Sequence, residues 1–317
     1  MLTTIVGVFL LFGSFQYFNT GSIKDLEKKD NFEVIAHRGV HQDFNKENLD
    51  YLNGCTAKRI YKPTHNYIEN TIESIEAAFD YGATVVEIDI RPTKDKKLVV
   101  FHDWMLGCRT EVNGKVSDFL LKDLKKLDVG YGYTYDGGKT YPFRGKGVGK
   151  IKTLFEILTH FPDKKFLIDN KSGNNLEVAK LISDVLLKLP KEQRKKMYIW
   201  SENKSYNFIK QKNPSITRLF VPKQYQKSFY KSYILGFGLL NLDKKFQNEG
   251  IALPIEYTKF IWGWPYKFLD KVYDNDTRFY IYLNKKEEFK TIKNIPIDGV
   301  ITDYIEIVGK ELKSLKN

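Results

Sequence analysis

Residues 71–90 read TIESIEAAFDYGATVVEIDI, and this stretch decides the fold class. Ile72, Ile75 and Phe79 recur at helical spacing, and Gly82 stands where such a helix would stop, since glycine adopts a left-handed C-terminal conformation at little cost. From Thr84 the period drops to two. Val86, Ile88 and Ile90 then share one strand face, and Glu87 and Asp89 share the other. A helix running straight into a strand is one unit of an alternating α/β chain.

The same alternation extends in both directions. Upstream lies the short apolar strand Glu33–His37 (EVIAH). Downstream the pattern predicts a strand at Lys97–His102 (KLVVFH), helices at Val116–Leu127 and Thr153–Phe161, a strand at Lys165–Lys171 (KFLIDNK), a helix at Leu176–Leu189 and a strand at Met197–Ser201. The signal thins from Glu202 to Thr277, where a strand at Thr217–Val221 and a helix at Tyr266–Tyr273 are the best-supported elements. Strands at Arg278–Leu283 and Ile297–Thr302, with a helix between them, close the chain. About eight strands joined by right-handed crossovers predict a parallel sheet closed as a (β/α)8 TIM barrel. An open dinucleotide-binding sheet is disfavoured, because no glycine-rich fingerprint follows the first strand. Gly145–Lys150 has the composition of a phosphate loop without its spacing.

Composition narrows the class of partner. The 317 residues are 42% hydrophobic and 28% charged, which excludes a disordered chain and a polytopic membrane protein. Lys and Arg number 51 against 39 Asp and Glu, a net charge of +12 that favours phosphates, anionic lipid surfaces or nucleic acid, though no nucleic-acid motif accompanies it. No nucleic-acid or protein partner is expected. Two cysteines exclude a disulfide-dense scaffold and a Cys-cluster zinc site, and leave Cys55 and Cys108 as either one disulfide or two thiols. The run Ile5–Phe18 (IVGVFLLFGSFQYF) is short for a membrane span of about 20 residues but fits a signal-peptide core, with small residues at Thr20–Ser22. Residues 1–22 are therefore expected to be an export signal or an N-terminal membrane anchor in the cell envelope, and residues 23–317 the barrel.

Chemistry-bearing residues gather at the C-terminal ends of the predicted strands, where barrel active sites form. His37-Arg38-Gly39 ends the first strand, Glu87 and Asp89 the second, His102-Asp103 the third, and Asp169 and Lys171 the fourth. Two carboxylates on one strand face repel unless a cation or a shared proton neutralises them. With Glu69 and Asp169 added, the donors are all oxygen, which predicts one hard divalent ion, Mg²⁺ or Ca²⁺. His37 and His102 suit a general acid/base pair, and Arg38 and Lys171 add the fixed positive charge that grips a phosphate. His41, His65 and His160 read as loop or surface residues.

These residues, in this order, resemble the glycerophosphodiester phosphodiesterase family. The matching stretches are AHRG at Ala36–Gly39, ENTIESIEAAFDYGATVVEIDI at Glu69–Ile90, VVFHD at Val99–Asp103, LIDNK at Leu167–Lys171 and DGVITD at Asp298–Asp303. The resemblance is dense over Glu33–Lys171 and returns near Asn284–Asp303. It implies a (β/α)8 barrel that hydrolyses glycerophosphodiesters to glycerol 3-phosphate and an alcohol with a divalent metal. His37 and His102 would be the acid/base pair, Arg38 a phosphate contact, Glu87 and Asp89 metal ligands, Glu69 a further active-site carboxylate and Lys171 a charge stabiliser. Asp169 stands where the family usually has Glu, which would lengthen its reach to the metal, and Tyr304 stands where the family often has Pro. The loops His41–Ile68 and Leu106–Lys150 are enlarged, and are expected to lie over the C-terminal face as a lid or an ordered cover. Lysolipid substrates, with a lysophospholipase D or sphingomyelinase D-like activity, are the neighbouring alternative. A non-catalytic envelope binding protein on the same barrel is the distant one.

Overall fold

The computed structural model describes residues 31–49 and 55–314, together with Gly7. The rest of the apolar run Ile5–Phe18, and Thr20–Ser22, lie outside the described residues. Among the described residues, no helix is long and apolar enough to cross a membrane. The chain forms two compact units, Val34–Leu219 with Thr302–Asn317, and Phe220–Ile301 with the residues before Val34.

In the first unit, strands β1 (Glu33–His37), β2 (Val85–Pro92), β4 (Lys165–Asn170), β5 (Met197–Trp200) and β6 (Thr217–Arg218) pair in parallel in the order β6-β5-β4-β2-β1, and β3 (Leu98–Val100) lies outside that path on β2. The register sets His37 opposite Glu87 and Asp89 opposite Asp169, so the polar strand ends fall into two adjacent rows. Helices α1 (Ile72–Tyr81), α2 (Leu154–His160), α3 (Leu176–Leu187) and α4 (Asn203–Lys212) supply the crossovers. α1 is held as its sequence demands. The Thr71 hydroxyl accepts from the Ser74 amide at the N-terminus, Gly82 closes the C-terminus at φ 107°, and Ile75, Ala77 and Ala78 are buried.

Two expectations need correction here. The segment Lys97–His102 is not a barrel strand: β3 runs antiparallel to β2, pairing Ile90 with Val100 and Pro92 with Leu98. The linker Thr93–Lys97 is too short for anything else, since a parallel crossover takes about a dozen or more residues. The predicted helix Val116–Leu127 resolves into two separate turns, Val116–Asp118 and Leu121–Leu124. The described residues of both enlarged loops share a core of their own, in which Phe44, Ile60, Ile68, Phe101, Leu106, Val129, Tyr133 and Phe143 pack together. The Cys55–Cys108 disulfide ties the two loops, with its Cα atoms 5.4 Å apart.

The second unit holds α5 (Lys223–Leu235), β7 (Gly250–Pro254), α6 (Tyr266–Asp274), β8 (Arg278–Leu283) and β9 (Gly299–Thr302). β7 and β8 are parallel, and β9 flanks β8. Its core is aromatic: Phe229, Tyr233, Phe268 and Phe279 meet through ring contacts of 5.2–6.5 Å. At Thr302 the chain returns to the first unit, where α7 (Ile305–Ser314) lies against the end of α1. Gly309 allows that approach, because a Cβ there would stand 1.8 Å from the Tyr81 carbonyl oxygen.

Candidate active site

The backbone builds the site before any side chain is placed. Just past β1, Arg38 sits at φ 60° and Asn70 at φ 58°, left-handed conformations that are costly for bulky residues and cluster at functional sites. They brace each other: the Arg38 amide donates to the Glu87 carbonyl at 3.1 Å, and the Asn70 amide to the Arg38 carbonyl at 3.0 Å. Gly39 follows at φ 74°, so close to α1 that a Cβ would stand 2.4 Å from the Ser74 hydroxyl. The His-Arg-Gly sequence is thus a turn that only glycine can complete.

Glu87, Asp89 and Asp169 are buried, with ligating oxygens all within 4.8 Å of one another. The shorter side chain of Asp169 still reaches the group. Glu87 Oε1 and Asp89 Oδ1 have no hydrogen-bond donor; the ammonium of Lys171 lies 3.0 Å from Asp89 Oδ1 and bonds Asp169 Oδ2. Burial and the Asp89 charge push the Glu87 carboxyl well above the carboxylate range. Asp89 is also penalised by burial, yet Lys171, His102 and Arg38 hold it well below. Three buried oxygen donors, with Glu87 Oε1 left without a partner, are the set a hard divalent cation takes. The residues present fit such an ion.

The two histidines have matching supports. His37 Nδ1 lies 2.7 Å from Asp303 Oδ1, and His102 Nδ1 lies 2.7 Å from Asp103 Oδ1. A carboxylate on Nδ1 fixes that nitrogen as the donor and leaves proton transfer to Nε2. Burial, then the Arg38 charge, lowers His37 to about 4 and also lowers His102, against the pull of their carboxylates. Both imidazoles therefore favour the neutral form more than a free histidine does.

Arg38 stands between these groups, with Nη1 donating to Glu69 Oε1 at 3.1 Å and Nε 3.4 Å from Asp89 Oδ2. Burial works against its charge, but Glu69 and Asp89 more than compensate and raise it above the ordinary value. The structure thus brings together all eight expected residues: His37, Arg38, Glu69, Glu87, Asp89, His102, Asp169 and Lys171. His102 arrives by a route the sequence did not indicate, on the loop after β3, where the Phe101 amide donates to the Asp89 carbonyl at 2.9 Å.

Three further residues belong to the site. Arg109 is fully buried; Nε donates to Asp103 Oδ2 at 2.8 Å, Nη2 to Thr56 Oγ1 at 2.7 Å and Nη1 to the Tyr133 hydroxyl, and Nη1 stands 3.1 Å from Glu69 Oε2. Asp303 anchors His37 and also receives Lys46 Nζ at 2.6 Å. His41, expected in a loop or at the surface, does lie in a loop but is buried, with Nε2 3.2 Å from Asp303 Oδ1. Burial opposes its charge, but Asp303 raises it above the ordinary histidine value. The DGVITD stretch and the position of Arg109 beside Cys108 were the available signals for these residues. Neither carries a periodicity that names a partner.

A model of the glycerophosphoryl diester phosphodiesterase family matches residues 37–307. A glycerophosphodiester phosphodiesterase of Caldanaerobacter subterraneus subsp. tengcongensis is 36% identical over 127 residues, 40% of this chain and 49% of that protein, so the chain spans about half the length of that relative. A lysophospholipase D of Homo sapiens is 27% identical over 196 residues, 60% of this chain and 56% of that protein. Among solved structures, a phosphodiesterase of Oleispira antarctica in complex with the product sn-glycerol-3-phosphate shares the fold, with a TM-score of 0.58 and 19% identity over 89% of this chain and 96% of that one.

Proposed function

Because the chain belongs to the glycerophosphoryl diester phosphodiesterase family, we propose that it hydrolyses glycerophosphodiesters to glycerol 3-phosphate and an alcohol, on a closed (β/α)8 barrel. The observation that carries this reading is the pair of imidazoles, each braced through Nδ1 by its own carboxylate, together with Arg38 and a three-carboxylate cluster.

The charge of the phosphodiester falls to Arg38, immobilised by Glu69, and to Lys171. Glu87, Asp89 and Asp169 would hold one divalent cation, Mg²⁺ or Ca²⁺, which supplies further neutralisation of the phosphate when bound. One imidazole takes a proton at Nε2 from the attacking hydroxyl as its oxygen bonds to phosphorus. The other delivers a proton to the alkoxide as the opposite P–O bond breaks. That hydroxyl is the substrate's own glycerol 2-OH, giving a cyclic phosphate that water then opens. The second imidazole must be protonated at the moment of transfer, although burial and Arg38 lower it. The negative charge of the arriving phosphodiester offsets Arg38 and raises it again.

A lysolipid substrate is the second reading, favoured by the similarity to a lysophospholipase D. Export to the cell envelope, by a leader or anchor at residues 1–22, is proposed with it; the Cys55–Cys108 disulfide supports an oxidising compartment. Assays of glycerophosphocholine against lysophosphatidylcholine, with EDTA and then Mg²⁺ or Ca²⁺, test all of this. Choline or glycerol 3-phosphate release that EDTA abolishes and one of the ions restores is the expected result. No turnover of either substrate with any divalent ion would overturn the proposal.

A further inference from the structure

In the second unit, the loop after α5 turns its apolar side chains outward. Leu235, Phe237, Leu239 and Leu240 are 67%, 58%, 74% and 45% exposed, within six consecutive positions. The loop is firmly held. The Gly238 amide donates to the Tyr233 carbonyl at 2.9 Å, the Leu239 amide to the Gly236 carbonyl at 3.0 Å, and Lys271 Nζ to the Gly238 carbonyl at 2.8 Å. Gly238 is wedged against Trp262, whose Cβ would lie 2.5 Å from an added Cβ, and the Phe237 ring meets the Trp262 ring at 5.5 Å.

Phe237 itself sits at φ 53°. A bulky aromatic residue in the left-handed region is strained, and leaving more than half of its surface in water returns little burial energy for that strain. Folding alone gives no reason for the arrangement. A surrounding of a different polarity does.

Charge identifies that surrounding. Lys227, Lys231 and Leu235 recur every four residues, so they lie on one side of α5, and all three are exposed. Residues 223–248 contain five lysines (223, 227, 231, 244 and 245) and one acid, Asp243, which pairs with Lys245. An apolar tip set in positive charge fits a bilayer carrying anionic headgroups: the side chains enter the interface, and the lysines stay at the phosphates. A second copy of the chain would bring like charges face to face.

We infer that the Leu235–Leu240 loop and the lysine stripe of α5 form a docking surface for anionic lipid bilayers. The inference is independent of the hydrolytic reading, because none of these residues belongs to the candidate active site.

Co-sedimentation of the full chain tests it, with vesicles of phosphatidylglycerol and phosphatidylcholine or of phosphatidylcholine alone at about 0.1 M salt. Binding is expected to the anionic vesicles, with weakening in about 0.5 M salt. Phe237→Asn with Leu239→Ser should cut partitioning about tenfold or more. Lys227→Gln with Lys231→Gln should cut it about tenfold on anionic vesicles only, at roughly fivefold per lysine less salt screening. Asparagine tolerates a positive φ, and the lysine changes lie on a helix surface, so an unchanged melting temperature and unchanged hydrolysis of a soluble diester certify folding. Three results would overturn the inference. One is wild-type binding by both variants, which would assign binding to the apolar run Ile5–Phe18. Another is no vesicle binding by the parent chain. The last is a dimer in solution that the Phe237→Asn/Leu239→Ser change dissociates, which would make a second copy the occupant.

Discussion

His37 and His102 hold the same kind of hydrogen bond at the same 2.7 Å, yet they are supported by different parts of the chain. His37 ends a sheet strand, and its carboxylate, Asp303, is 266 residues away in sequence, where Thr302 closes β9. His102 lies on a loop beside its own partner Asp103. That pair is steadied from outside by Arg109, and Arg109 in turn by Thr56 and Tyr133. One imidazole is set by the sheet, the other by the two enlarged loops and the disulfide that joins them. The chemistry can be symmetric while its sensitivity to damage is not.

Removing either imidazole erases the comparison and gives the largest effect. His37→Ala and His102→Ala should each lower kcat by about 10²–10⁴, the usual worth of general acid/base catalysis, measured on glycerophosphocholine with saturating metal. Near-normal turnover in either variant would remove that histidine from the mechanism. The supports should then separate the two sides. Arg109→Met leaves His102 and Asp103 in place but takes the clamp off Asp103 and one cation off Glu69. A loss of about 10–100-fold in kcat, with KM changed far less, is expected from loosening such a supporting contact. Lys46→Met, which trims only one of the partners of Asp303 on the His37 side, should cost less than Arg109→Met. The reverse order would mean that the sheet-borne histidine is the loosely held one.

This asymmetry also explains what the sequence could reveal. Glu87 and Asp89 were legible because a period of two, set against buried valine and isoleucine, fixes which face they share. His37 and Arg38 were legible because they end a clean apolar strand. The parallel strands alternating with helices followed from the same contrast between periods, as did α1, β4 and α3. Asp303 and His41 meet partners far along the chain, and Arg109 is fixed by the distant Thr56, Glu69 and Tyr133, meetings that no local pattern encodes. β3 was misjudged because a short apolar run looks the same in a hairpin as in a crossover, and only the length of the preceding linker separates them. In the second unit, α5 buries Gln226, Phe229, Tyr230 and Tyr233 and exposes lysines and apolar residues alike, so its hydrophobic period is blurred. Strand β6 is only two residues long, too short to show any period.

The disulfide offers a milder test of the His102 side. Cys55 and Cys108 adjoin Thr56 and Arg109, the two residues whose side chains are hydrogen-bonded at 2.7 Å. A link across 53 residues restrains the unfolded chain by about 4 kcal/mol in the chain-entropy treatment. Cys55→Ser with Cys108→Ser should therefore lower the denaturation midpoint clearly. Turnover at temperatures where the variant stays folded should drop only several-fold, because Arg109 keeps Asp103, Glu69 and Tyr133. Full turnover would show that the loops hold Arg109 without the link.

The smallest effect concerns the His37 side and depends on sign. His37 titrates at about 4 in the folded chain, below its ordinary 6.5. Between those values the unfolded chain binds a proton that the folded chain refuses, so this residue erodes stability as pH falls from 6.5 toward 4. The loss is at most about 3 kcal/mol, an upper bound because the side chain keeps 20% of its surface exposed. His41 is raised above 6.5 by the same Asp303. Its contribution is complete below pH 6.5 and disappears as pH rises through its folded value. Two histidines on one carboxylate thus pull the acid stability in opposite directions. In EDTA, melting at pH 5 and pH 7.5 should show His41→Gln losing more stability at the acid pH than at the alkaline one. His37→Gln, freed of the penalty, should lose less at pH 5 than at pH 7.5. Parallel losses for both variants at both pH values would mean that burial and the Arg38 charge do not set His37 apart from His41.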